Sequence, residues 1–332
     1  MPSLALSVVI PTYNVESYIA ETLDSLIAQS VPALEIIVVN DGSTDGTLEL
    51  LETRYGSLSN LKVHTQENQG VGAARLKGLE MARGDYVFFC DPDDVISPTL
   101  FHDLSAQVSA DPQLELYYFS KRSFIDKPEG RQFLRRDTAT TRQGLFEHGR
   151  DVLQDLILSG KYNASTWQYI FKRTVCERFD VRFEGRAHED HWFSMNIYLH
   201  SQRSFATRQD CYFQRVRAGS LTQSAKDQAY VASSYYAYRD TLVALKAHIH
   251  RFSQGKRVAL NFMERNVSAL ITKCIKYGVM LPENISSRSR RDARDCNIGI
   301  HGRVVLLLPR LIFRWRQVRQ GLRVVSKSIR CT

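Results

Sequence analysis

The chain has 332 residues, 43% of them apolar and 24% charged, with a formal net charge of +9. This composition excludes a disordered or fibrous chain, and the length passes the roughly 250 to 300 residues at which one hydrophobic core stops growing, so two lobes are expected. The excess charge is local: residues 286–332 hold 12 Lys and Arg against 2 Asp, whereas the remainder carries 32 basic and 33 acidic side chains.

The N-terminal stretch MPSLALSVVIPTYN lacks a basic leader region, and Pro11 interrupts its apolar run. It does not read as a signal peptide, and a cytoplasmic protein is expected. LSVVI (6–10) reads as a first strand, followed by PTYN. Val15, Ile19, Leu23, Leu26 and Ile27 then mark one apolar helical face. EIIVV (35–39) is a second strand and leads into NDGSTDGT, where Gly42 and Gly46 allow a sharp turn and Asp41 is placed to accept from a base or ribose. LKVHT (61–65) is a third strand, and residues 70–83 form a helix closed by Gly84. DYVFFC (85–90) and LELYYF (114–119) complete an alternation that predicts a parallel sheet flanked by helices. In such a sheet the loops after Ile10, Val39 and Cys90 converge on one crevice outside the strand ends.

The fourth strand runs without a linker into DPDD, which crowds Asp91, Asp93 and Asp94 together. A solvated turn is the plain alternative. At a crevice mouth, however, close carboxylates repel one another unless a cation intervenes, and hard oxygen ligands suit Mg²⁺ or Mn²⁺ held jointly with substrate phosphates.

Residues 121–145, including KRSFIDKPEGRQFLRRD, read as a mobile connection. Beyond it come a helix near 150–158, a strand from Trp167 to Lys172, a helix over 190–200, a strand from Cys211 to Val216, and two helices over 226–278. HEDHWF places Glu189 and Asp190 in a first helical turn beside Trp192; favourable contact with the helix dipole is again the plain alternative. The six cysteines lie far apart and without zinc-ligand spacing, so they read as reduced thiols. From Arg310 onward, Leu311, Trp315, Val318, Leu322 and Val325 line one helical face, with Arg316, Arg319, Arg323 and Lys327 on the other. Such a basic amphipathic helix fits an anionic membrane surface through residues 303–330, or packs on the protein's own core. No nucleic-acid recognition module accompanies it, so no nucleic acid is expected as a partner.

The ordered series PTYN (11–14), NDGSTDGT (40–47), ENQGVGAARLKGL (67–79), GDYVFFCDPDD (84–94) and AHEDHWF (187–193) resembles the inverting family 2 glycosyltransferases of the GT-A fold, over about residues 5–220. The resemblance implies a Rossmann-like, mixed α/β sheet flanked by helices. It divides the chain into a GT-A domain over 1–225, with a nucleotide-sugar half (1–120) and an acceptor half (121–225), and a helical extension over 226–332 that ends in the basic tail. It further implies a UDP-linked donor held by Pro11, Thr12, Tyr13, Glu16, Asp41, Arg75 and Asp91. Asp91 and Asp93 match the metal-binding acid pair, for Mn²⁺ or Mg²⁺, and Asp190 matches the catalytic base. Glu189, Trp192 and Arg217 fall on the acceptor or diphosphate side. The sequence departs from the family at Leu76, where asparagine usually follows the arginine. The implied acceptor is a saccharide or lipid-linked saccharide of a bacterial cell surface, met at the inner membrane face. Two rival readings are a metal-dependent nucleotidyltransferase, which wants a glycine-rich basic loop where PTYN stands, and a non-catalytic module binding saccharide or membrane.

Overall fold

A computed structural model describes residues 4–134, 142–183, 188–217 and 227–295. The chain divides into two compact units, Met1–Gln223 with His250–Ser253, and Ser224–Ile249 with Gln254–Thr332.

The first unit is built on one sheet. Its strands are β1 (Leu6–Thr12), β2 (Glu35–Asn40), β3 (Leu61–Thr65), β4 (Tyr86–Phe89), β5 (Val95–Ile96), β6 (Leu116–Lys127), β7 (Gly130–Phe133), β8 (Gly144–His148), β9 (Tyr169–Lys172) and β10 (Gln202–Arg215). They lie in the order β3-β2-β1-β4-β9-β6-β10-β5, with β7 beside β6 and β8 beside β10. The helices are α1 (Ile19–Ile27), α2 (Thr47–Tyr55), α3 (Val71–Met81), α4 (Leu100–Ala110), α5 (Gly149–Leu158), α6 (Thr174–Phe179) and α7 (Glu189–His200).

Every residue of β1, β2 and β4 is buried, as expected for parallel strands covered on both faces. On one face Leu6, Val8 and Ile10 join Ile19 and Leu23 of α1, Leu51 of α2 and Leu100 of α4. On the other, Phe89 meets Phe193 of α7 edge to face with centroids 5.7 Å apart, and Val9 packs under α3. That last contact requires glycine at position 78, because a Cβ there would fall 2.2 Å from Val9 Cγ1.

The parallel registers align the strand ends: Thr12 lies beside Asn40, and Val9 beside Phe89. The chain therefore leaves β1, β2 and β4 at the same edge of the sheet, which brings PTYN, NDGSTDGT and DPDD together.

The sheet itself is mixed, as the resemblance implies: β1, β2, β3, β4 and β6 run in one direction, and β9 runs antiparallel between β4 and β6. Several expectations are corrected. The expected mobile connection begins inside a strand: β6 continues to Lys127 and turns back into β7. The charges there conceal the pattern, since the Arg122 and Arg131 guanidiniums lie 4.7 and 4.6 Å over the rings of Phe133 and Phe124, using their flat faces as apolar surface. Trp167 belongs to a 3-10 turn (Thr166–Gln168) preceding β9. Strand β10 starts at Gln202, nine residues before Cys211, and buried Ser204 and Ala206 supply an inward alternation that reads as polar. Ile27 is exposed and leaves the apolar face of α1 at Leu26.

The second unit contains α8 (Gln228–Ala247), α9 (Gly255–Tyr277) and α10 (Glu283–Asp295). Asp227 caps α8 by accepting from the Tyr230 N–H at 2.8 Å. Buried Tyr235, Leu242, Phe262 and Leu270 make its interior. The third helix is fastened by Asp292, which accepts from Tyr238 and Arg239, each at 3.1 Å. The two helices expected over 226–278 are α8 and α9, and α10 lies beyond that range. The amphipathic tail lies outside the described residues. Among the described residues no helix is long and apolar enough to cross a membrane, and four cysteines, Cys90, Cys176, Cys211 and Cys274, are free thiols.

Candidate active site

The first two strand-end loops are stitched together. Asn14, at a φ of 49°, accepts from the Thr44 N–H at 2.7 Å, and its own N–H donates to Ser43 Oγ at 3.1 Å. Glu16 accepts from the Gly46 N–H at 3.1 Å, so its carboxylate clamps the two loops to each other. Pro11 and Thr12 are buried, and the Thr12 hydroxyl donates to Ile10 O at 3.2 Å. Tyr13 is half exposed beside them. Asp41 is buried and accepts from Gln66 Nε2 at 2.8 Å and from the Gln69 and Gly70 N–H groups at 2.9 and 2.8 Å. It thus fixes the entry into α3, and so the position of Arg75 one turn later.

Arg75 is the centre of the site. Its guanidinium donates through Nη2 to Asp91 Oδ1 at 3.0 Å and through Nη1 to Glu189 Oε1 at 2.8 Å. Arg75 and Glu189 are both buried, and Arg75 Nε has no hydrogen-bond partner among the described residues. One cation therefore ties the end of β4 to the first turn of α7, residues far apart in sequence. Burial pushes the Glu189 carboxyl above its ordinary range; Arg75 opposes that rise and the neighbouring Asp190 charge adds to it. Asp91 is raised in the same way, first by burial, against the pull of Arg75 and with the repulsion of Asp93 and Asp190. Asp190 is half-buried at the start of α7, within electrostatic reach of both Arg75 and Asp91. His188, at a φ of 61°, turns the chain so that Glu189 and Asp190 open the helix, where its dipole favours negative charge.

The three acids of DPDD have different surroundings. Asp93 pairs with Arg217, Nε to Oδ2 at 2.7 Å, and Arg217 in turn lies 4.5 Å over the Tyr18 ring. Asp94 is buried with both oxygens occupied, accepting from the Tyr212 hydroxyl at 2.6 Å and the Arg215 N–H at 2.7 Å. Burial, then the charges of Asp91 and Asp93, hold its carboxyl well above the usual range. Trp192 is half-buried next to the acids of α7, whereas Trp167 is a core residue stacked on Tyr212 at 4.5 Å.

A divalent ion can be tested against this donor set. Asp91 and Asp93 each give one oxygen to an arginine, and neither Asp91 Oδ2 nor Asp93 Oδ1 has a hydrogen-bond partner among the described residues. Two hard carboxylate oxygens fit Mg²⁺ or Mn²⁺ completed by substrate phosphates. They do not make a closed protein cage, and among the described residues no group of three or more His, Cys, Asp and Glu is arranged to hold a metal alone.

Sequence reasoning missed Tyr212 and Arg215. Their route to the acids is the two-residue pairing of β5 with β10, Ile96 beside Tyr212 and Val95 beside Phe213, a bridge too short to leave a periodic signal.

Comparison with known proteins bears on the family and the fold. The model of the family described as Glycosyl transferase family 2 matches residues 7–157. The uncharacterized glycosyltransferase YibD of Escherichia coli is 30% identical over 327 residues, covering 98% of this chain and 92% of that protein. EpsH of Bacillus subtilis, also named as a glycosyltransferase, is 30% identical over 228 residues; there the match spans 67% of this chain but only 64% of the relative. The crystal structure of residues 1–349 of Staphylococcus aureus TarS, in complex with UDP-GlcNAc, superposes with a TM-score of 0.68 at 23% identity over 92% of each chain. TarS is named as a poly(ribitol-phosphate) β-N-acetylglucosaminyltransferase. A near full-length relative, a family model lying over the strands that carry Asp41 and Asp91, and a shared GT-A architecture converge: the chain belongs to the family 2 glycosyltransferases.

Proposed function

We propose that this glycosyltransferase moves one sugar from a UDP-linked donor to a saccharide or lipid-linked saccharide acceptor, with inversion, in cell-surface polysaccharide synthesis. The observation that carries the reading is the Arg75 bridge, which sets an acid of the β4 end beside the first turn of α7. Donor and acceptor machinery thereby share one buried counter-ion.

In this reading Asp41 and the PTYN loop border the nucleoside, and Asp91 and Asp93 hold Mn²⁺ or Mg²⁺ through their oxygens not given to arginine. When bound, that ion offsets the negative charge developing on the departing diphosphate. Asp190 takes the proton from the acceptor hydroxyl as its oxygen bonds to the anomeric carbon; the bond from that carbon to the phosphate oxygen breaks, leaving its electron pair on UDP. A carboxylate is a weak base towards an alcohol, so proton removal is concerted with attack. Glu189, pinned by Arg75, orients the first turn of α7, and Trp192 borders the acceptor. Arg217, the counter-ion of Asp93, neutralises charge on the diphosphate side. The charge pattern of residues 303–330 supports contact with an anionic membrane at the inner face, each Lys or Arg near such a surface contributing about 1 kcal/mol.

Incubation with a panel of nucleotide sugars and Mn²⁺ or Mg²⁺ should release nucleoside diphosphate. Release of pyrophosphate would instead indicate nucleotidyl transfer. Asp190→Asn should abolish transfer while UDP binding, measured by calorimetry, persists; unchanged turnover would remove Asp190 from the mechanism.

A further inference from the structure

The acids proposed to hold the metal lie on the turn that follows β4, and four of the hydrogen bonds that brace this turn come from β10, more than a hundred residues later. The Tyr212 hydroxyl has two partners on that turn: it accepts from the Asp91 N–H at 3.1 Å and donates to Asp94 Oδ2 at 2.6 Å. One oxygen atom thereby joins the first and last acids of DPDD. Arg215 adds two further ties, from its N–H to Asp94 Oδ1 at 2.7 Å and from Nε to Asp93 O at 2.8 Å. Thr22 of α1 completes the frame by donating to Asp94 O at 2.8 Å.

We infer that Tyr212 is a positioning residue for the metal-binding acids: through Asp94 and the Asp91 N–H it fixes the shape of the DPDD turn, so that Asp91 and Asp93 present their outer oxygens together. Asp94 is then part of the frame and not a metal ligand, since both its oxygens are committed to β10. The Tyr212 ring has a separate task. It stacks on Trp167 at 4.5 Å with 17° between planes and meets Phe88 edge to face, which anchors the hydroxyl in the apolar core. Ring and hydroxyl are therefore separable by substitution.

The inference rests on the metal and donor roles proposed above, and its test distinguishes the two. Tyr212→Phe keeps the ring and removes the hydroxyl. In the free protein, hydrogen exchange at the Asp91, Asp93 and Asp94 amides should accelerate about tenfold, a change needing neither donor nor metal. In calorimetric titrations of UDP, the Mn²⁺ concentration for half-maximal binding should rise about tenfold. Trp167→Phe, which weakens the stack and leaves the hydroxyl, should lower the melting temperature without moving the Mn²⁺ requirement. Unchanged exchange at the Asp91, Asp93 and Asp94 amides in Tyr212→Phe overturns the positioning role. So does faster exchange with an unchanged Mn²⁺ requirement, and so does a Mn²⁺ requirement shifted equally by Trp167→Phe. Wild-type protein that binds UDP equally with and without Mn²⁺ overturns the metal reading of Asp91 and Asp93, and with it the functional half of this inference, whereas the exchange result still judges the frame itself.

Discussion

Replacing Arg75 by methionine is the most searching single perturbation of this site. The side chains are similar in length, so the change removes charge and donors while filling much of the same space. Arg75 makes two charge-assisted hydrogen bonds, at 2.8 Å to Glu189 and 3.0 Å to Asp91, and both it and Glu189 are buried. Truncating one partner of a buried pair costs about 3 to 5 kcal/mol, because the remaining charge is stranded away from water. Arg75→Met should therefore lose about that much in urea unfolding, lowering the midpoint without changing the slope. Glu189→Gln in the same background removes the stranded charge, so the double variant should be less destabilised than the two single losses added together, by about 1 kcal/mol or more. The pH dependence has a definite sign. The Glu189 carboxyl lies above its ordinary range in the folded protein even with Arg75 present, and without that cation it rises further. The folded state then binds more protons than the unfolded one between the ordinary carboxylate range and the raised value. Stability of Arg75→Met should fall as pH rises through that window and recover as the solution is acidified towards it. A loss below about 1 kcal/mol, or strictly additive single and double variants, would refute Arg75 as the buried tie between the two halves of the site.

Two other predictions follow from the geometry and the charge pattern. Glu35 is fully buried; burial alone would raise its carboxyl, but hydrogen bonds from Lys62, the Arg83 N–H, Ser7 and the Arg83 guanidinium outweigh it and bring the value down to about 2. Its contribution, about 2 to 3 kcal/mol, is present above the ordinary value of 4.5 and lost as pH falls towards 2, so Glu35→Gln should destabilise the protein at pH 7 and much less near pH 2, as read by denaturant titrations at both. Deleting residues 303–332 should release the protein from anionic vesicles in co-sedimentation while leaving neutral vesicles unbound by either form; equal sedimentation of both forms with anionic vesicles would reject the tail as the anchor.

The parts of the site that are legible in the sequence are those written by a strand and the loop that follows it. Apolar runs ending in PTYN, NDGSTDGT and DPDD announce both the strand and the chemistry at its end, and the registers of β1, β2 and β4 bring those loops to one edge. Glu189 and Asp190 are legible for the same local reason, two acids opening a helix. The contacts that join these pieces are not. Nothing near position 75 says that its guanidinium will bridge residues 91 and 189, and nothing in CYFQRVR announces that its tyrosine and first arginine will brace the turn that leads into β5. The β6–β7 hairpin is hidden differently: its arginines behave as flat apolar surface over phenylalanine rings, so a pattern read by charge sees a loop where the backbone sees a ladder.

Gly78 sits about one helical turn beyond Arg75, where α3 lies close against Val9 of β1. That bare α-carbon works as a fulcrum. Any side chain there, even a methyl, would press on Val9, and a shift of α3 to relieve that contact would carry the Arg75 guanidinium with it, so a bare α-carbon helps to set the reach of one of the chain's longest side chains. A single added methyl at this position is therefore expected to disturb the Arg75 bridge from outside the charged cluster, a change that an inventory of charged groups would overlook.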